Sequence, residues 1–249
     1  MRARRRSSTP PRSPLGPRLL MPGLLFMLAG SSCEDGTVAS SALGLPLIEA
    51  SAPDGDTLVV FITGDGGWAP FARGITGHLR RGHLAVVALD SPRYLWKGRT
   101  PDQTAADVAL VAREYLRRWH RSRLVLLGYS RGADIVPFVV ARLPAELRDR
   151  LALVVLIGPA RTTNFEFHPV DLVDEPRRPS DLPVEPELDH VDGRKVLCLE
   201  GEAEAESLCP EVTARDGQRV VLPGGHHFGG DTRRVSDVIV RRLGAAARP

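Results

Sequence analysis

The segment LVLLGYSRGAD, residues 124–134, constrains the fold and chemistry of this chain more than any other stretch. Its first four residues form a continuous apolar run, which is typical of a parallel strand that is buried on both faces. The pattern G-x-S-x-G follows at once with Ser130 at its centre, and a second apolar run begins at Ile135. A strand, a tight turn and a helix in this order place a serine where it can act as a nucleophile. The alternative is an ordinary turn serine, since the pattern also arises by chance.

Apolar strands and amphipathic helices alternate along most of the chain. Strands are predicted at residues 57–63, 83–91, 151–157 and 194–200 and in the segment QRVVL, and helices at residues 71–81, 101–119 and 231–243. This alternation predicts an α/β fold with a mostly parallel central sheet and helices on both faces. The length of 249 residues and the ordinary globular composition indicate one such domain.

The N-terminal residues have the pattern of a secretory signal peptide. Six arginines precede and flank the apolar run 19–29, and the small residues Gly30-Ser31-Ser32 follow it. The run is shorter than the roughly 20 residues that a membrane-spanning helix needs. We therefore predict a signal peptide over residues 1–32, a tether and an edge strand over 33–55, and the α/β domain over 56–249.

The predicted signal peptide changes the interpretation of the net charge. The whole chain has a formal charge of +3, but without the six N-terminal arginines it keeps 27 basic and 30 acidic residues. The remaining charge of about −3 does not favour a nucleic-acid partner, and none is expected.

The three cysteines suggest two different roles. Cys33 comes directly after the small residues, which suggests a lipoprotein signal with a lipidated cysteine; simple cleavage and export is the alternative. Cys198 and Cys209 lie close together in the sequence, and in an exported protein such a pair is expected to form a local disulfide.

A long segment separates the strand at 151–157 from the next strand. Residues 161–193 are rich in proline, aspartate and glutamate and show little periodicity. Long loops of this kind often carry function, so the segment is a candidate lid over the site. A solvated surface insertion is the alternative.

Loops after parallel strands form the binding edge of an α/β sheet, and one of them here is rich in glycine. The sequence GDGGW, residues 64–68, lets successive backbone N–H groups point into one space, as an oxyanion hole requires. Asp65 or Gly66 is the candidate for one donor, and Arg131, the residue after Ser130, for the other. A flexible glycine turn is the alternative.

The loop EGEAEAES, residues 200–207, follows the penultimate predicted strand, where the acid of a catalytic triad belongs. Glu204 is the first candidate because it lies three residues after Gly201, and Glu206 is the second. Glu202 and Glu200 are weaker candidates. A run of glutamates is also typical of a solvated surface.

The loop GGHHFGGD, residues 224–231, follows the last predicted strand and offers the base. His226 is the first candidate and His227 the second, and the chain order serine, acid, histidine matches this fold class. The imidazole would take the proton of Ser130 and return it to the leaving group. The histidines and glutamates lack the ligand spacing of a known zinc site, so we expect neither a metal nor a cofactor.

Four segments in order, ITGDGGW, LLGYSRGAD, CLEGEAEAESLCP and LPGGHHFGGD, resemble the bacterial virulence protein VirJ and the VirJ-like carboxyl-terminal domain of AcvB. The resemblance spans roughly residues 57–243. It implies an α/β-hydrolase fold, a periplasmic location, and hydrolysis of lysyl-phosphatidylglycerol, an aminoacylated membrane lipid. It also implies Ser130 as the nucleophile, an acid from loop 200–207, and His226 or His227 as the base. The chain differs from the family pattern at Arg131, where a bulky apolar residue is common.

Three functions are consistent with these features. The first is a serine esterase that cleaves the aminoacyl ester of the lipid at a membrane surface; acidic residues such as Asp65, Asp90 or those of 171–189 would suit its cationic head group. The second is a periplasmic esterase or peptidase with another substrate, because the motifs specify acyl transfer and not the acyl group. The third is a non-catalytic accessory protein of a secretion system.

Overall fold

A mostly parallel sheet forms the centre of the computed structural model, which describes residues 39–40, 43–172 and 178–246. The strands of this described part are β1 (Ala39–Ser40), β2 (Pro46–Ala50), β3 (Thr57–Ile62), β4 (Ala85–Leu89), β5 (Arg123–Tyr129), β6 (Leu151–Ile157), β7 (Thr162–Thr163), β8 (Leu182–Pro183), β9 (Val196–Gly201) and β10 (Gln218–Leu222). Strands β7 and β8 pair only with each other, and the others form the central sheet.

The helices connect these strands in the alternating order that the sequence predicts. They are α1 (Pro70–Arg81), α2 (Ser91–Leu95), α3 (Pro101–Arg118), α4 (Arg131–Ala141), α5 (Ala145–Arg148), α6 (Cys209–Thr213) and α7 (Thr232–Ala246). Helix α3 begins with a capping box, in which Thr100 and Gln103 each bind the backbone N–H of the other. The strands and helices for which the sequence predicts bounds are confirmed to within three residues at each end.

The strand order places the loops of interest along one edge of the sheet. The order is β1-β2-β4-β3-β5-β6-β9-β10, and the six strands from β4 to β10 are parallel to one another. Strand β2 is antiparallel to β4. Because parallel strands end at the same edge, the loops that follow β3, β5, β6, β9 and β10 meet there.

Both faces of the sheet are covered, which confirms the predicted α/β architecture. In β3, the buried residues Leu58, Val60 and Ile62 pack with residues of α3 and α4 in one hydrophobic core. Val59 and Phe61 point to the opposite face and pack with residues of α1 and α7 in a second core. Because successive side chains point to opposite faces and both faces are buried, the sequence of this strand is one apolar run and does not alternate between apolar and polar residues.

The strand predicted over residues 83–91 is shorter than expected and runs from Ala85 to Leu89. Asp90 ends it by capping α2, since its carboxylate accepts a hydrogen bond from the backbone N–H of Arg93 at 3.3 Å. An N-cap residue adopts an extended conformation while its side chain satisfies one of the first helical N–H groups. The sequence signal for this helix start was therefore present but was included in the strand.

The predicted signal peptide 1–32 and the candidate lipidation site Cys33 lie outside the described residues. The segment 161–193 contains the β7–β8 pair and a 3-10 helix at Glu185–His190, and residues 173–177 within it are not described. Its role as a lid or as a surface insertion stays a prediction.

All described elements belong to one compact unit, residues 35–249. This unit contains both hydrophobic cores and every strand pairing of the sheet, so it includes the contacts on which its folding depends. Among its described helices, none has the length and apolarity that crossing a membrane requires.

A disulfide joins Cys198 of β9 to Cys209 of α6, as the cysteine spacing predicts. Both residues are fully buried, and their sequence separation is 11 residues. The bridge closes the loop that follows β9, which carries Glu204. It therefore limits the freedom of this loop in the unfolded chain as well as in the folded one.

We expect reduction of this disulfide to lower the free energy of unfolding by about 3 kcal/mol, because a loop of this length loses about that much closure entropy when it is bridged. For a domain of this size the melting temperature should fall by roughly 6–12 °C. Thermal unfolding of residues 35–249 with and without reductant, each followed by thiol counting, measures the effect. An unchanged melting temperature after complete reduction would contradict it.

Candidate active site

Ser130 lies in a sharp turn between β5 and α4, in a backbone conformation that few residues adopt. Its φ of 53° and ψ of −127° lie outside the regions that non-glycine residues normally occupy. A Cβ atom on Gly128 would lie 2.2 Å from the carbonyl oxygen of Gly132, and one on Gly132 would lie 2.0 Å from that of Ile62. Both glycines are therefore required for α4 to approach β5 and β3 closely.

The backbone of this turn is fixed on both sides. The N–H of Ser130 donates to the carbonyl oxygen of Ile157 at 2.9 Å, and its own carbonyl accepts from the N–H of Ala133 at 2.7 Å. Ser130 is partly exposed at the N-terminus of α4, where the helix dipole favours negative charge. Among the described residues its hydroxyl makes no hydrogen bond, so it is available to an incoming group.

Glu204 and His226 come together at the same edge of the sheet. The Nδ1 atom of His226 lies 2.6 Å from Oε1 of Glu204, and the N–H of Gly201 donates to Oε2 at 2.6 Å. Gly201 packs so closely on the histidine loop that a Cβ atom there would lie 2.5 Å from the carbonyl oxygen of Gly225. The two loops after β9 and β10 thus hold the acid and the imidazole in one arrangement.

The protonation state of this pair follows from its surroundings. Burial raises the pKa of Glu204, but the hydrogen bonds from His226 and Gly201 oppose this effect, and the pKa is lowered overall. Glu204 is therefore a carboxylate at neutral pH and can only accept hydrogen bonds. Because the carboxylate can only accept, Nδ1 of His226 carries the proton of the shared hydrogen bond, and Nε2 is the ring nitrogen that faces away from it.

Gly158, directly after β6, brings the imidazole and Ser130 to the same stretch of backbone. A Cβ atom on Gly158 would lie 2.8 Å from Cε1 of His226 and 3.2 Å from Oε1 of Glu204. Gly158 also has a φ of 60°. Because Ser130 binds the backbone of the preceding residue, Ile157, the serine and the ring occupy adjacent positions at the end of β6. Gly158 was not among the residues predicted for the site, although a glycine directly after a predicted parallel strand is a detectable signal.

The structure gives His227 different partners from His226. Its Nδ1 atom is hydrogen-bonded to the hydroxyl of Tyr129, and its ring lies near Phe71. Burial and then the charge of Glu204 raise the pKa of Tyr129, so the phenol stays protonated. Of the two candidate bases, it is therefore His226 that contacts the acid.

Glu206 and Glu200 lie away from the imidazole of His226. Glu206 is exposed and lines a polar cavity of about 120 Å³ beside Arg131. Glu200 is buried and pairs with Arg219. The geometry therefore assigns the contact with His226 to Glu204, the residue three positions after Gly201.

The residues that follow β3 and Ser130 are joined by a buried ion pair. Nε of Arg131 lies 2.6 Å from Oδ1 of Asp65, and the two side chains are only 6% and 7% exposed. Arg131 also donates to Oδ1 of Asn164 at 3.0 Å. From the sequence, Arg131 was expected to contribute its backbone N–H, and Asp65 its backbone N–H or a carboxylate for a cationic head group. This contact between their side chains was not predicted.

The candidate oxyanion donors lie on either side of Ser130. A Cβ atom on Gly64 would lie 2.9 Å from Cβ of Ser130, so the loop after β3 borders the serine directly. Within the described part of the chain, the N–H groups of Asp65 and Gly66 donate no hydrogen bond, and Gly66 is exposed. Arg131 is the first residue of α4, where N–H groups point out of the helix. Of the two candidate donors after β3, Asp65 and Gly66, it is Asp65 that directly follows Gly64, the residue that borders Ser130.

Comparison with known proteins places the chain in a family. The sequence model of the bacterial virulence protein VirJ matches residues 56–247. The chain belongs to the VirJ family. This confirms the resemblance that its four motifs indicate, while a comparison with curated proteins found no match.

Solved structures similar to this VirJ family member include esterases and a putative hydrolase. A putative dienelactone hydrolase from Klebsiella pneumoniae subsp. pneumoniae MGH 78578 is 16% identical, with 80% of this chain and 92% of that chain covered and a TM-score of 0.57. Est1E from Butyrivibrio proteoclasticus is 18% identical, with 81% and 96% covered and a TM-score of 0.56. The esterase Pf2001 from Pyrococcus furiosus is 13% identical, with 84% and 96% covered and a TM-score of 0.58. These likenesses confirm the α/β-hydrolase fold.

The lowered pKa of Glu204 predicts a pH-dependent contribution to stability. A carboxyl whose pKa is lower in the folded than in the unfolded chain stabilises the fold above its unfolded pKa, and this contribution is lost as the pH falls through the folded pKa. Glu204→Gln should therefore destabilise the protein more at pH 7 than at pH 3. Urea unfolding of both proteins across this range measures the difference.

The matched control is Glu202→Gln, which changes an exposed glutamate of the same loop. We expect its stability to follow that of the parent at every pH. Parallel pH dependence of the parent and Glu204→Gln would contradict the assignment of Glu204 as a stabilised carboxylate.

Proposed function

We propose that this VirJ family member is a periplasmic serine hydrolase, and that it cleaves the aminoacyl ester of lysyl-phosphatidylglycerol. The strongest support is the hydrogen bond between Glu204 and His226. It lies beside the backbone at the end of β6, to which the N–H of Ser130 is hydrogen-bonded. A binding module has no need for a carboxylate and an imidazole held beside a strained serine. Membership of the VirJ family and the hydrolase fold support the same reaction class.

The proposed mechanism begins with Ser130. Nε2 of His226 takes the hydroxyl proton while Oγ forms a bond to the carbonyl carbon of the lysyl ester. The N–H groups of Asp65 and Arg131 stabilise the negative charge that develops on the carbonyl oxygen. The bond to the glycerol oxygen of phosphatidylglycerol then breaks, and this oxygen leaves with the proton from His226.

Water completes the reaction in a second step. His226 takes a proton from a water molecule, the hydroxide attacks the lysyl ester of Ser130, and the bond between Oγ and the acyl carbon breaks. Lysine is released and the proton returns to Oγ. Throughout both steps Glu204 stays ionised and stabilises the imidazolium that forms on His226.

Three of the acidic residues expected to suit a cationic head group already have partners within the protein. The carboxylate of Asp65 is bound to Arg131, and that of Asp90 caps α2, so neither is suited to this task. Asp181, within the acidic segment 171–189, lines the polar cavity beside Arg131. Its carboxylate accepts hydrogen bonds from Nδ2 of Asn164 at 3.2 Å and from the N–H of Arg178 at 2.8 Å.

The test is release of lysine from liposomes that contain lysyl-phosphatidylglycerol by residues 35–249. We expect Ser130→Ala to release lysine at least about 1,000-fold more slowly than the parent, because loss of a triad member removes covalent catalysis. Ser122→Ala is the matched control, since Ser122 is an exposed serine at the amino end of β5 and should leave the rate unchanged.

Three outcomes would contradict parts of the proposal. Equal rates for the parent and Ser130→Ala would exclude Ser130 as the nucleophile. Ser130-dependent hydrolysis of p-nitrophenyl acetate without lysine release would retain the esterase and exclude this lipid. Inactivity of the parent on both substrates would favour the accessory protein of a secretion system.

A further inference from the structure

A patch of cations around an exposed tryptophan lies on the carboxyl edge of the sheet, away from the residues used above. Trp96 follows α2 and is 61% exposed. Arg93, Lys97 and Arg99 surround it and, together with the ring of Phe167, line an open cavity of about 490 Å³. We call these five residues the tryptophan patch. The patch follows β4, so it shares its edge of the sheet with the loops of Ser130, Glu204 and His226.

Hydrogen bonds hold the backbone around Trp96 in place, so the fold itself keeps the ring exposed at this position. The N–H of Arg99 donates to the carbonyl oxygen of Phe165 at 2.7 Å, and the N–H of Phe167 donates to that of Leu95 at 3.1 Å. These bonds join the turn after α2 to the beginning of the segment 161–193. The rings of Trp96 and Phe167 lie 6.0 Å apart between their centroids.

The three cations of the patch differ in their ion pairing from other arginines of the surface. Within the described residues none of them forms an ion pair with a carboxylate, whereas Arg113, Arg142 and Arg215 elsewhere on the surface each do. The guanidinium of Arg99 lies instead 4.9 Å from the centre of the Tyr94 ring. Arg93 and Lys97 are exposed and extend the positive charge towards solvent.

We propose that the tryptophan patch docks the protein on an anionic phospholipid surface. An indole ring prefers the boundary between water and lipid, since one end is polar and the rest is apolar. Unpaired cations beside it add attraction to anionic head groups. A soluble polyanion would neutralise the cations of the patch. It would not explain why the apolar face of Trp96 is exposed beside Phe167.

The docking geometry connects the patch with the reaction. Because both lie on one edge of the sheet, a membrane that contacts Trp96 also faces the loops that carry Ser130 and His226. This consequence rests on the proposed function, whereas docking itself does not. Docking would bring an esterified lipid head group to the serine without extracting the lipid from the bilayer.

The first test is co-sedimentation of residues 35–249 with vesicles that lack any aminoacylated lipid. We expect binding to vesicles of phosphatidylglycerol and phosphatidylcholine, weaker binding at high salt, and little binding to phosphatidylcholine alone. Removal of each cation should weaken binding about 5-fold, so the double variant Arg93→Gln/Lys97→Gln should bind roughly 25-fold more weakly. Trp96→Ala should also weaken it.

Matched controls test whether binding depends on the tryptophan patch itself or on any exposed cations and apolar residues of the surface. Arg148→Gln/Arg150→Gln removes two exposed cations at the opposite edge of the sheet, next to the start of β6. Leu110→Ala removes an exposed apolar residue of α3. Both should bind like the parent. Equal losses in the control and patch variants, or no binding by the parent, would overturn the proposal.

A second readout detects the tryptophan itself. Indole emission should shift to shorter wavelength with phosphatidylglycerol vesicles in the parent, and this shift should disappear in Trp96→Phe, which retains an apolar ring. A retained shift would overturn insertion of Trp96. Trp96-dependent binding of single-stranded DNA in place of vesicles would assign the patch to nucleic acid and also overturn the proposal.

Activity assays on a soluble substrate and on vesicles distinguish an effect on docking from an effect on catalysis. The patch variants should hydrolyse p-nitrophenyl acetate at the parental rate and should lose rate only on lipid in vesicles. Loss of the soluble activity in the same variants would show that the substitutions damage the site, and would contradict a docking role.

Discussion

The close approach of α4 to the central sheet is the constraint on which the whole site depends. Gly128 and Gly132 allow it because neither position has room for a Cβ atom. The chain can then reverse at Ser130 only by adopting a positive φ, and this cost is offset by the hydrogen bonds and packing that fix the turn. The serine is thereby held at the helix N-terminus, on the edge of the sheet where the other functional loops end.

The remaining parts of the site are assembled by the same kind of contact and by one buried charge pair. Gly158 leaves room for the ring of His226, and Gly201 lets the acid loop pack on the histidine loop. Arg131, the residue after Ser130, is buried. Its buried charge requires a partner, which Asp65 supplies, because an isolated charge in the interior is strongly destabilising.

The sequence predicts the order of strands and helices well because long apolar runs and cap residues are local signals. It also identifies the loops of the site, since their position after parallel strands follows from that order. It does not distinguish Glu204 from Glu206 or His226 from His227, because neighbouring residues in one loop differ only in the direction of their side chains. That direction depends on long-range packing, such as the contact of His226 with Gly158, which no local pattern contains.

Labelling with a fluorophosphonate, followed by mass spectrometry of the peptides, measures whether Ser130 is a nucleophile that His226 activates. We expect one adduct on Ser130, formed at least about 1,000-fold more slowly in His226→Ala and within about tenfold of the parental rate in His227→Ala. An adduct on another residue, or equal labelling of the parent and His226→Ala, would contradict the assignment of Ser130 as a nucleophile activated by His226.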